Sequence, residues 1–210
     1  MKQLDPKAGP RAEIYAHFRS FAQPLFTLCA PVRVDVPRLQ ASGGLFGGLL
    51  WGVLSAANAV PELRQRIRVI DGDDVVVEHD RVDCTCTVAR PDESFAFGYF
   101  PHDPDRAAFV AGLPARLDAA IAHPGLDRSQ QDRDDMLYLS CVPWIELTTV
   151  QHALPSLDLD TVPRVLWGRV GADGRMTVCV TAHHSLVDGR HVARFIRALE
   201  ALVGPPPGGA

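Results

Sequence analysis

The sequence contains no apolar run long enough to cross a membrane. Its longest apolar stretch, residues 45–60, is broken by three glycines, a serine and an asparagine, and it falls short of the roughly 20 residues that a span needs. The first residues, Met-Lys-Gln-Leu-Asp-Pro, do not form an apolar signal segment either. We therefore expect a cytoplasmic protein that does not associate with membranes, and we interpret residues 45–59 as a buried helix.

Basic charge is not in excess, because 21 Lys and Arg residues face 25 Asp and Glu residues and the formal net charge is −4. This balance provides no overall field that would recruit nucleic acid or an anionic membrane, so we expect neither as a partner. No segment has the glycine pattern of a phosphate-binding loop or of a dinucleotide-binding turn. A local basic pocket for a phosphorylated cosubstrate is still compatible with this charge.

Cysteine is scarce and scattered, which argues against a disulfide framework. The five residues are Cys29, Cys84, Cys86, Cys141 and Cys179. In a cytoplasmic protein we expect them to be reduced thiols. Cys84 and Cys86 lie on one face of a predicted strand, but the sequence suggests no further ligands for a metal. We interpret them as core residues and predict no metal site.

Strand and helix patterns alternate along the chain, which predicts one α/β domain over residues 1–203. A Pro- and Gly-rich tail, residues 204–210, follows it. Because most predicted strands are far apart in sequence, the pattern favours a two-layer fold, a mixed β-sheet covered by helices. Predicted strands cover residues 32–36, 75–77, 84–88, 95–100, 136–142, 165–170 and 176–182, and predicted helices cover residues 11–21, 45–59, 62–66, 104–121 and 189–202.

A pair of histidines stands where a predicted strand ends. His183 and His184 follow the strand at 176–182, and Asp188 precedes the last predicted helix. Ligands commonly bind at strand ends in α/β sheets, and an imidazole of ordinary pKa can take a proton from a hydroxyl group at neutral pH. The residues alone leave an alternative open, in which both histidines are structural and Asp188 is a helix cap.

The surroundings of the histidine pair resemble the C-terminal signature of the chloramphenicol acetyltransferases. Residues 183–195 read His-His-Ser-Leu-Val-Asp-Gly-Arg-His-Val-Ala-Arg-Phe, where the family has His-His-x-x-x-Asp-Gly followed by a His-Val-Ala-Arg helix. Three further segments match the family: residues 11–13 (Arg-Ala-Glu), 60–67 (Val-Pro-Glu-Leu-Arg-Gln-Arg-Ile) and 142–145 (Val-Pro-Trp-Ile). The resemblance extends over nearly the whole chain and implies the family's α/β fold.

The resemblance implies direct transfer of an acetyl group from acetyl-CoA to a hydroxyl group of chloramphenicol, the reaction that underlies antibiotic resistance in this family. In the family the second histidine of the pair is the general base, and it corresponds to His184. No acyl-enzyme is implied, so none of the cysteines is needed as a nucleophile. His183 is then interpreted as structural.

The resemblance also assigns roles to Asp188, Arg11 and Thr149. In the family, the aspartate of the motif forms a buried ion pair with an N-terminal arginine and braces the active site, and these residues correspond to Asp188 and Arg11. The serine that stabilises the oxyanion in the family corresponds to Thr149, which keeps the hydroxyl donor. A shift of the alignment by one residue would promote Thr148 instead.

The acceptor pocket and the assembly follow from the resemblance alone. Phe18 and Phe95 fall where the family places aromatic or apolar walls around the antibiotic. A threonine that helps to hydrate the family's transition state is replaced by Leu166, which is a departure from the pattern. The family is a homotrimer with each active site at a subunit interface, so His184 would face acceptor-binding residues of a neighbouring chain.

The sequence leaves three other functions open. The chain could transfer an acetyl or longer acyl group to a different small hydroxyl or amine acceptor, because the base determines the chemistry and the pocket determines the acceptor. It could be the catalytic domain of a dihydrolipoamide acyltransferase, although it contains no lipoyl domain and no flexible Ala/Pro linker. It could also be a non-enzymatic binder that retains the fold.

Overall fold

A six-stranded mixed sheet forms the centre of the computed structural model, which describes residues 1–153 and 160–206. Only two pairs of neighbouring strands in this sheet are parallel, Asp83–Ala89 with Met136–Val142 and Met136–Val142 with Arg164–Gly168. The predicted α/β fold with a mixed sheet is therefore confirmed, while residues 207–210 of the predicted tail lie outside the described residues. In spatial order the strands are β2 (Leu25–Arg33), β9 (Arg175–His183), β8 (Arg164–Gly168), β7 (Met136–Val142), β5 (Asp83–Ala89) and β6 (Phe95–Phe100).

Helices cover one face of this sheet. The three longest helices among the described residues are α3 (Leu45–Asn58), α4 (Arg106–Ala122) and α5 (Gly189–Val203). Helix α3 packs against α5. Gly52 allows the close approach, because a Cβ there would overlap the side chain of Val203. Alternate strand residues point into the resulting core and are almost completely buried: Cys84, Cys86, Val165, Trp167, Val178 and Val180.

A second, smaller antiparallel sheet contains β1 (Lys2–Leu4), β4 (Asp73–Glu78) and β3 (Gln65–Ile70), in that order. The sequence predicted a helical turn through residue 66, but only Pro61–Arg64 is helical, as a 3-10 turn, and β3 begins at Gln65. The reason is Arg66, which is buried and donates hydrogen bonds to four backbone carbonyls. An extended backbone points this guanidinium into the protein, where distant carbonyls satisfy it.

The strand predicted at 32–36 is longer and lies earlier, because β2 starts at Leu25 and ends at Arg33. Pro31 is accommodated since β2 is an edge strand, where a missing N–H disrupts no second ladder. The chain then turns at Asp35, whose carboxylate accepts from the backbone N–H of Arg38 at 3.1 Å and caps α2 (Val36–Ala41). Helix α1 (Ala12–Arg19) precedes β2.

The expectation that all five cysteines are reduced thiols is wrong for one pair. Cys29 of β2 and Cys179 of β9 lie opposite each other with their Cα atoms 4.0 Å apart, and they form a disulfide. They are 150 positions apart in the sequence. Their spacing therefore does not indicate a pair, and only the register of β2 and β9 brings them together. Cys84 and Cys86 are buried free thiols in the core, as predicted.

Candidate active site

The end of β9 places the histidine pair beside α1. The backbone N–H of His184 donates to the carbonyl of Pro24 at 2.8 Å, just beyond the paired residues of β2 and β9. The imidazole of His184 stacks on Phe18, with ring centroids 3.7 Å apart and planes 7° apart, and the ring of Phe26 lies 4.4 Å away. His184 is therefore held between aromatic side chains from α1 and β2.

The described residues provide no carboxylate that is hydrogen-bonded to this imidazole. Nδ1 of His184 is buried and has no hydrogen-bond partner among them. The carboxylate of Asp188 instead accepts hydrogen bonds from Arg11 and from backbone N–H groups at the start of α5. The arrangement thus differs from a His–Asp relay, in which a carboxylate fixes the ring.

His183 is buried, with only 1% of its surface exposed. Its Nδ1 accepts from the backbone N–H of Ser185 at 3.3 Å, so the ring proton resides on Nε2, which is buried without a partner among the described residues. Burial, reinforced by the charge of Arg19, lowers the pKa of His183 to about 4. A neutral, enclosed imidazole of this kind suits a structural role better than proton transfer.

Arg11 and Asp188 meet at the N-terminus of α5. Nη1 of Arg11 lies 2.5 Å from Oδ2 of Asp188, while Oδ1 of Asp188 accepts from the backbone N–H of Arg190 at 2.9 Å. Burial opposes ionisation of Asp188, but the hydrogen bond from Arg11 helps to hold its pKa below the ordinary value. The two side chains are 31% and 28% exposed, so the pair is partly open to solvent in this chain. Asp188 is both a helix cap and an ion-pair partner.

A chain of polar contacts continues from Asp188 along α5. Nδ1 of His191 accepts from the backbone N–H of Asp188 at 3.0 Å, and its Nε2 lies 3.4 Å from Oε1 of Glu62. Arg194 pairs with the same glutamate at 2.8 Å. Sequence reasoning missed Glu62, although the three-residue spacing of His191 and Arg194 places both on one helix face and was the available signal.

The structure does not bring Thr149 to His184 within one chain. Thr149 is exposed, and its Oγ1 lies 3.9 Å from Sγ of Cys29. Cys29 is paired with Cys179, which precedes His184 by five extended residues, or about 16 Å along the strand. Thr148 is exposed as well.

Phe95 is also far from His184, whereas Phe18 contacts it. Phe95 is the first residue of the edge strand β6 and is 48% exposed. Four strand spacings separate β6 from β9 in the sheet order, which corresponds to about 19 Å. Of the residues proposed for the site, Phe18 therefore lies with His184, whereas Thr149, beside β2, and Phe95, in β6, lie apart from it and from each other.

A cavity of about 360 Å³ opens on the sheet beside β5, β6 and β7. Phe95 does not line it, but Phe97 does, and the ring centroids of these two residues are 5.8 Å apart. Sequence reasoning missed the lining residues, although the two-residue alternation of β5, β6 and β7 was a usable signal. The polar and aromatic part of the lining includes Thr87, Phe97, Tyr99, Tyr138, Ser140 and His152.

A second cavity, of about 700 Å³, lies between the start of α3 and the β8–β9 turn. Its lining includes Phe46, Trp167 and Arg169. Arg169 is exposed and forms an ion pair with Glu146 at 3.0 Å. The two cavities border β7 at neighbouring residues, Ser140 and Cys141. The second is large enough for the arm of a cofactor, and it contains one cation at its rim.

The free thiols are poorly suited to nucleophilic catalysis. Burial raises the pKa of Cys141 to about 11 and raises those of Cys84 and Cys86 as well, so all three are protonated at neutral pH. Within residues 1–153 and 160–206, no group of histidine, cysteine and acidic side chains is arranged to hold a metal ion. In the same part of the chain, we find no helix with the length and apolarity to cross a membrane.

Comparison with known proteins identifies the family. A family model described as chloramphenicol acetyltransferase matches residues 2–200. The chain belongs to the chloramphenicol acetyltransferase family. It is 22% identical over 205 residues to the chloramphenicol acetyltransferase of Campylobacter coli, with 96% of this chain and 97% of the relative covered. It is 26% identical over 208 residues to chloramphenicol acetyltransferase 2 of Escherichia coli, with 95% of each covered.

Solved structures show that the chain shares its fold with known proteins. One described as chloramphenicol acetyltransferase superposes with a TM-score of 0.83 at 24% identity, over 95% of this chain and 98% of that one. The cubic core of the pyruvate dehydrogenase multienzyme complex has a TM-score of 0.64 at 13% identity, over 91% and 86% of the two chains, which shows a shared fold alone. As a family member, the chain is an acyltransferase.

The pair that ties α1 to α5 in this family member gives a stability prediction. Asp188→Asn keeps a capping oxygen but leaves Arg11 unpaired, so we expect a lower melting temperature. Asp188→Ala removes the cap too, and we expect it to cost about 1 kcal/mol more. Arg190→Met is the control, because only the backbone of Arg190 contacts Asp188. Thermal melting of the three variants measures the order of their stabilities. Equal melting temperatures would contradict a stabilising role for the ion pair of Arg11 and Asp188.

The buried His183 gives a pH prediction. Its folded pKa of about 4 is below the ordinary value of about 6.5, so the unfolded chain binds more protons between these pH values. The stability contributed by neutral His183 is thus complete above pH 6.5 and declines as the pH falls toward 4. We expect His183→Asn, which keeps an acceptor for Ser185, to show a shallower decline in the free energy of unfolding. His123→Asn, in an exposed loop, should keep the wild-type slope; identical slopes for all three proteins would contradict the assignment.

Proposed function

We propose that this chain transfers the acetyl group of acetyl-CoA to a hydroxyl group of chloramphenicol, with His184 as the general base. The observation that carries the proposal is the imidazole of His184, held at the end of β9 by Phe18 and Phe26 with Nδ1 enclosed. Enclosure of Nδ1 leaves Nε2 for proton transfer. The relatives that match along nearly the whole chain are named chloramphenicol acetyltransferases, which supports the choice of substrates.

The proposed reaction is a direct transfer. Nε2 of His184 takes the proton of the acceptor hydroxyl as that oxygen attacks the thioester carbonyl. A C–O bond forms, the former carbonyl oxygen carries the negative charge of the tetrahedral intermediate, and the C–S bond then breaks. The departing CoA sulfur takes the proton back from the imidazolium, which restores neutral His184. No acyl-enzyme is required, in agreement with the raised pKa values of the free thiols.

The oxyanion donor in this proposal is Thr149, whose hydroxyl donates a hydrogen bond to the negatively charged oxygen of the intermediate that forms at His184 of a different copy. Within one chain, Thr149 lies beside Cys29 rather than His184, and His184 does not line the 360 Å³ cavity. We therefore propose a homotrimer in which His184 of one copy faces Thr149 and this cavity of the next. The segment leading to Thr149 supports such an interface, because Trp144 and Ile145 are 68% and 55% exposed and large exposed apolar residues favour protein contacts.

The 700 Å³ cavity is the proposed site for the arm of acetyl-CoA. The two cavities border β7 at the consecutive residues Ser140 and Cys141, whose side chains point to opposite faces of the sheet, so we propose that the thioester reaches the acceptor hydroxyl past the end of β7. Its apolar lining, which includes Phe46 and Trp167, suits the uncharged arm, and the exposed guanidinium of Arg169 suits a phosphate group. No metal is needed for this chemistry.

The second candidate is acyl transfer to a different small hydroxyl or amine acceptor. The lining of the acceptor cavity supports this second candidate, because it offers several hydroxyl groups for hydrogen bonding. These belong to Thr87, Tyr99, Tyr138 and Ser140. A polar acceptor with many hydrogen-bonding groups would satisfy these side chains better than a mainly apolar one. Turnover rates with chloramphenicol and with a panel of alcohols and amines decide between the candidates.

Loss of the base should abolish most of the activity. We expect His184→Ala to lower kcat by roughly 10²–10⁴-fold, which is the usual contribution of general-base catalysis. CoA release from acetyl-CoA is followed with a chromogenic thiol reagent in the presence of chloramphenicol. His123→Ala, an exposed histidine outside the site, should retain wild-type turnover. Near-normal turnover by His184→Ala would overturn the mechanism, and wild-type turnover confined to other acceptors would favour the second candidate.

Complementation between variants tests the shared site. His184→Ala and Thr149→Val should each be nearly inactive alone. When the two chains are co-expressed with different tags, we expect about one in three sites of each mixed trimer to combine an intact His184 with an intact Thr149 from different copies. Mixed trimers are purified through both tags and assayed. If they are as inactive as the parent variants, the two residues do not act across an interface.

A further inference from the structure

Helix α1 is attached to the rest of the protein along one face. Arg11, Tyr15 and Arg19 recur every four residues, so their side chains lie in one row near the helix surface. Arg11 pairs with Asp188 at the start of α5. Tyr15 and Arg19 both bind Asp74, in β4 of the small sheet. The two ends of α1 are thus fixed by two different carboxylates.

Asp74 is the centre of the second attachment. Its Oδ2 accepts from the hydroxyl of Tyr15 at 2.8 Å and from Nε of Arg19 at 2.7 Å, and Oδ1 accepts from Nη2 of Arg19 at 3.3 Å. The side chains of Arg19 and Asp74 are 25% and 21% exposed. Burial opposes ionisation of Asp74, but hydrogen bonds from Arg19 and Tyr15 hold its pKa below the ordinary value. The contact is therefore a charged, bidentate one with an additional hydroxyl donor.

The residue next to this attachment on α1 is Phe18, which stacks on His184. Since Nδ1 of His184 has no hydrogen-bond partner among the described residues, the orientation of the imidazole depends on its packing against Phe18 and Phe26. Phe26 belongs to β2 and is fixed by the strand ladder. Phe18 is fixed only as well as the C-terminal half of α1 is fixed.

We propose that Asp74 is a positioning residue for the active site: through Arg19 and Tyr15 it holds the end of α1 so that Phe18 stays stacked on His184. The carboxylate does not touch the reacting atoms. It acts from a different sheet, through a helix, on the angle of the ring that accepts the proton. The inference depends on the proposed function, because it assumes that His184 is the base whose orientation limits the reaction.

A spectroscopic test is independent of activity. The stacked ring of Phe18 should shift the ring-proton resonances of His184 upfield, and His184→Gln identifies these resonances in a ¹H–¹³C spectrum. In Asp74→Asn we expect the shift to decrease toward the value in Phe18→Leu, while Asp74→Glu retains part of it. Asp73→Asn is the matched control, because Asp73 is adjacent but exposed and pairs with Lys7. An unchanged His184 shift in Asp74→Asn would overturn the proposal.

A kinetic test separates positioning from general destabilisation. We expect Asp74→Asn to lower kcat roughly 10-fold to 100-fold, as for a small misplacement of a catalytic group, while KM for acetyl-CoA changes by less than about twofold because that cavity is elsewhere. In a Phe18→Leu background the same substitution should cause little additional loss, since both changes act through one contact. Additive losses in the double variant would overturn the proposal.

Two outcomes keep this inference distinct from the proposed function. If the wild-type protein transfers no acyl group, the proposed function fails while the ring-proton shift still tests the role of Asp74. If Asp74→Asn does not fold, Arg19→Lys weakens the same attachment more mildly, and it should reduce both the ring shift and kcat. An Arg19→Lys protein with wild-type shift and kcat would count against the proposal.

Discussion

The antiparallel pairing of β2 with β9 is the constraint on which the candidate site depends. The register runs without interruption from Leu25 opposite His183 to Arg33 opposite Arg175. It places Cys29 opposite Cys179 and fixes Phe26 beside His184. A slip of one residue would turn every side chain of β2 to the other face of the sheet. The strand register therefore determines where the imidazole of His184 lies relative to Phe26.

The fold could be predicted from the sequence where the signals are local. The bounds of β6 and β7 coincide with the predicted 95–100 and 136–142, because each strand has its own alternation and turn residues. The sequence predicts helical structure at residues 65 and 66, which belong to β3. The prediction fails because two of the carbonyls that bind Arg66 belong to Asp134 and Met136, far along the chain. The disulfide was missed for the same reason: only the folded register brings its two cysteines together.

The candidate site was partly accessible from the sequence as well. The histidine pair and Asp188 stand out through a local motif, and Arg11 through resemblance, and the structure places Arg11 and Asp188 in contact. The stacking of Phe18 on His184 could not be predicted, because it depends on how α1 docks. Asp74 lies 55 residues from Arg19, in a sheet that the sequence did not separate from the main one. The sequence pointed to Phe95 as a wall of the acceptor pocket, but Phe97, two residues further along the same strand face, lines the cavity. The two phenylalanines have the same hydropathy, so only their positions in the folded sheet distinguish them.

The edge position of β2 has a consequence for how the protein is made. In the six-stranded sheet β2 has one neighbour, β9, and the disulfide between them spans 150 residues. The contact of Arg11 with Asp188 spans 177. A ribosome releases β2 and α1 long before the partners of either have been synthesised, so a growing chain exposes an unpaired strand edge for most of its translation. The imidazole acquires its aromatic neighbours only after the C-terminal strand and helix emerge. Chains truncated before β9 therefore contain most of the core residues, as well as Phe18 and Phe26, but lack the imidazole of His184 on which these two rings pack.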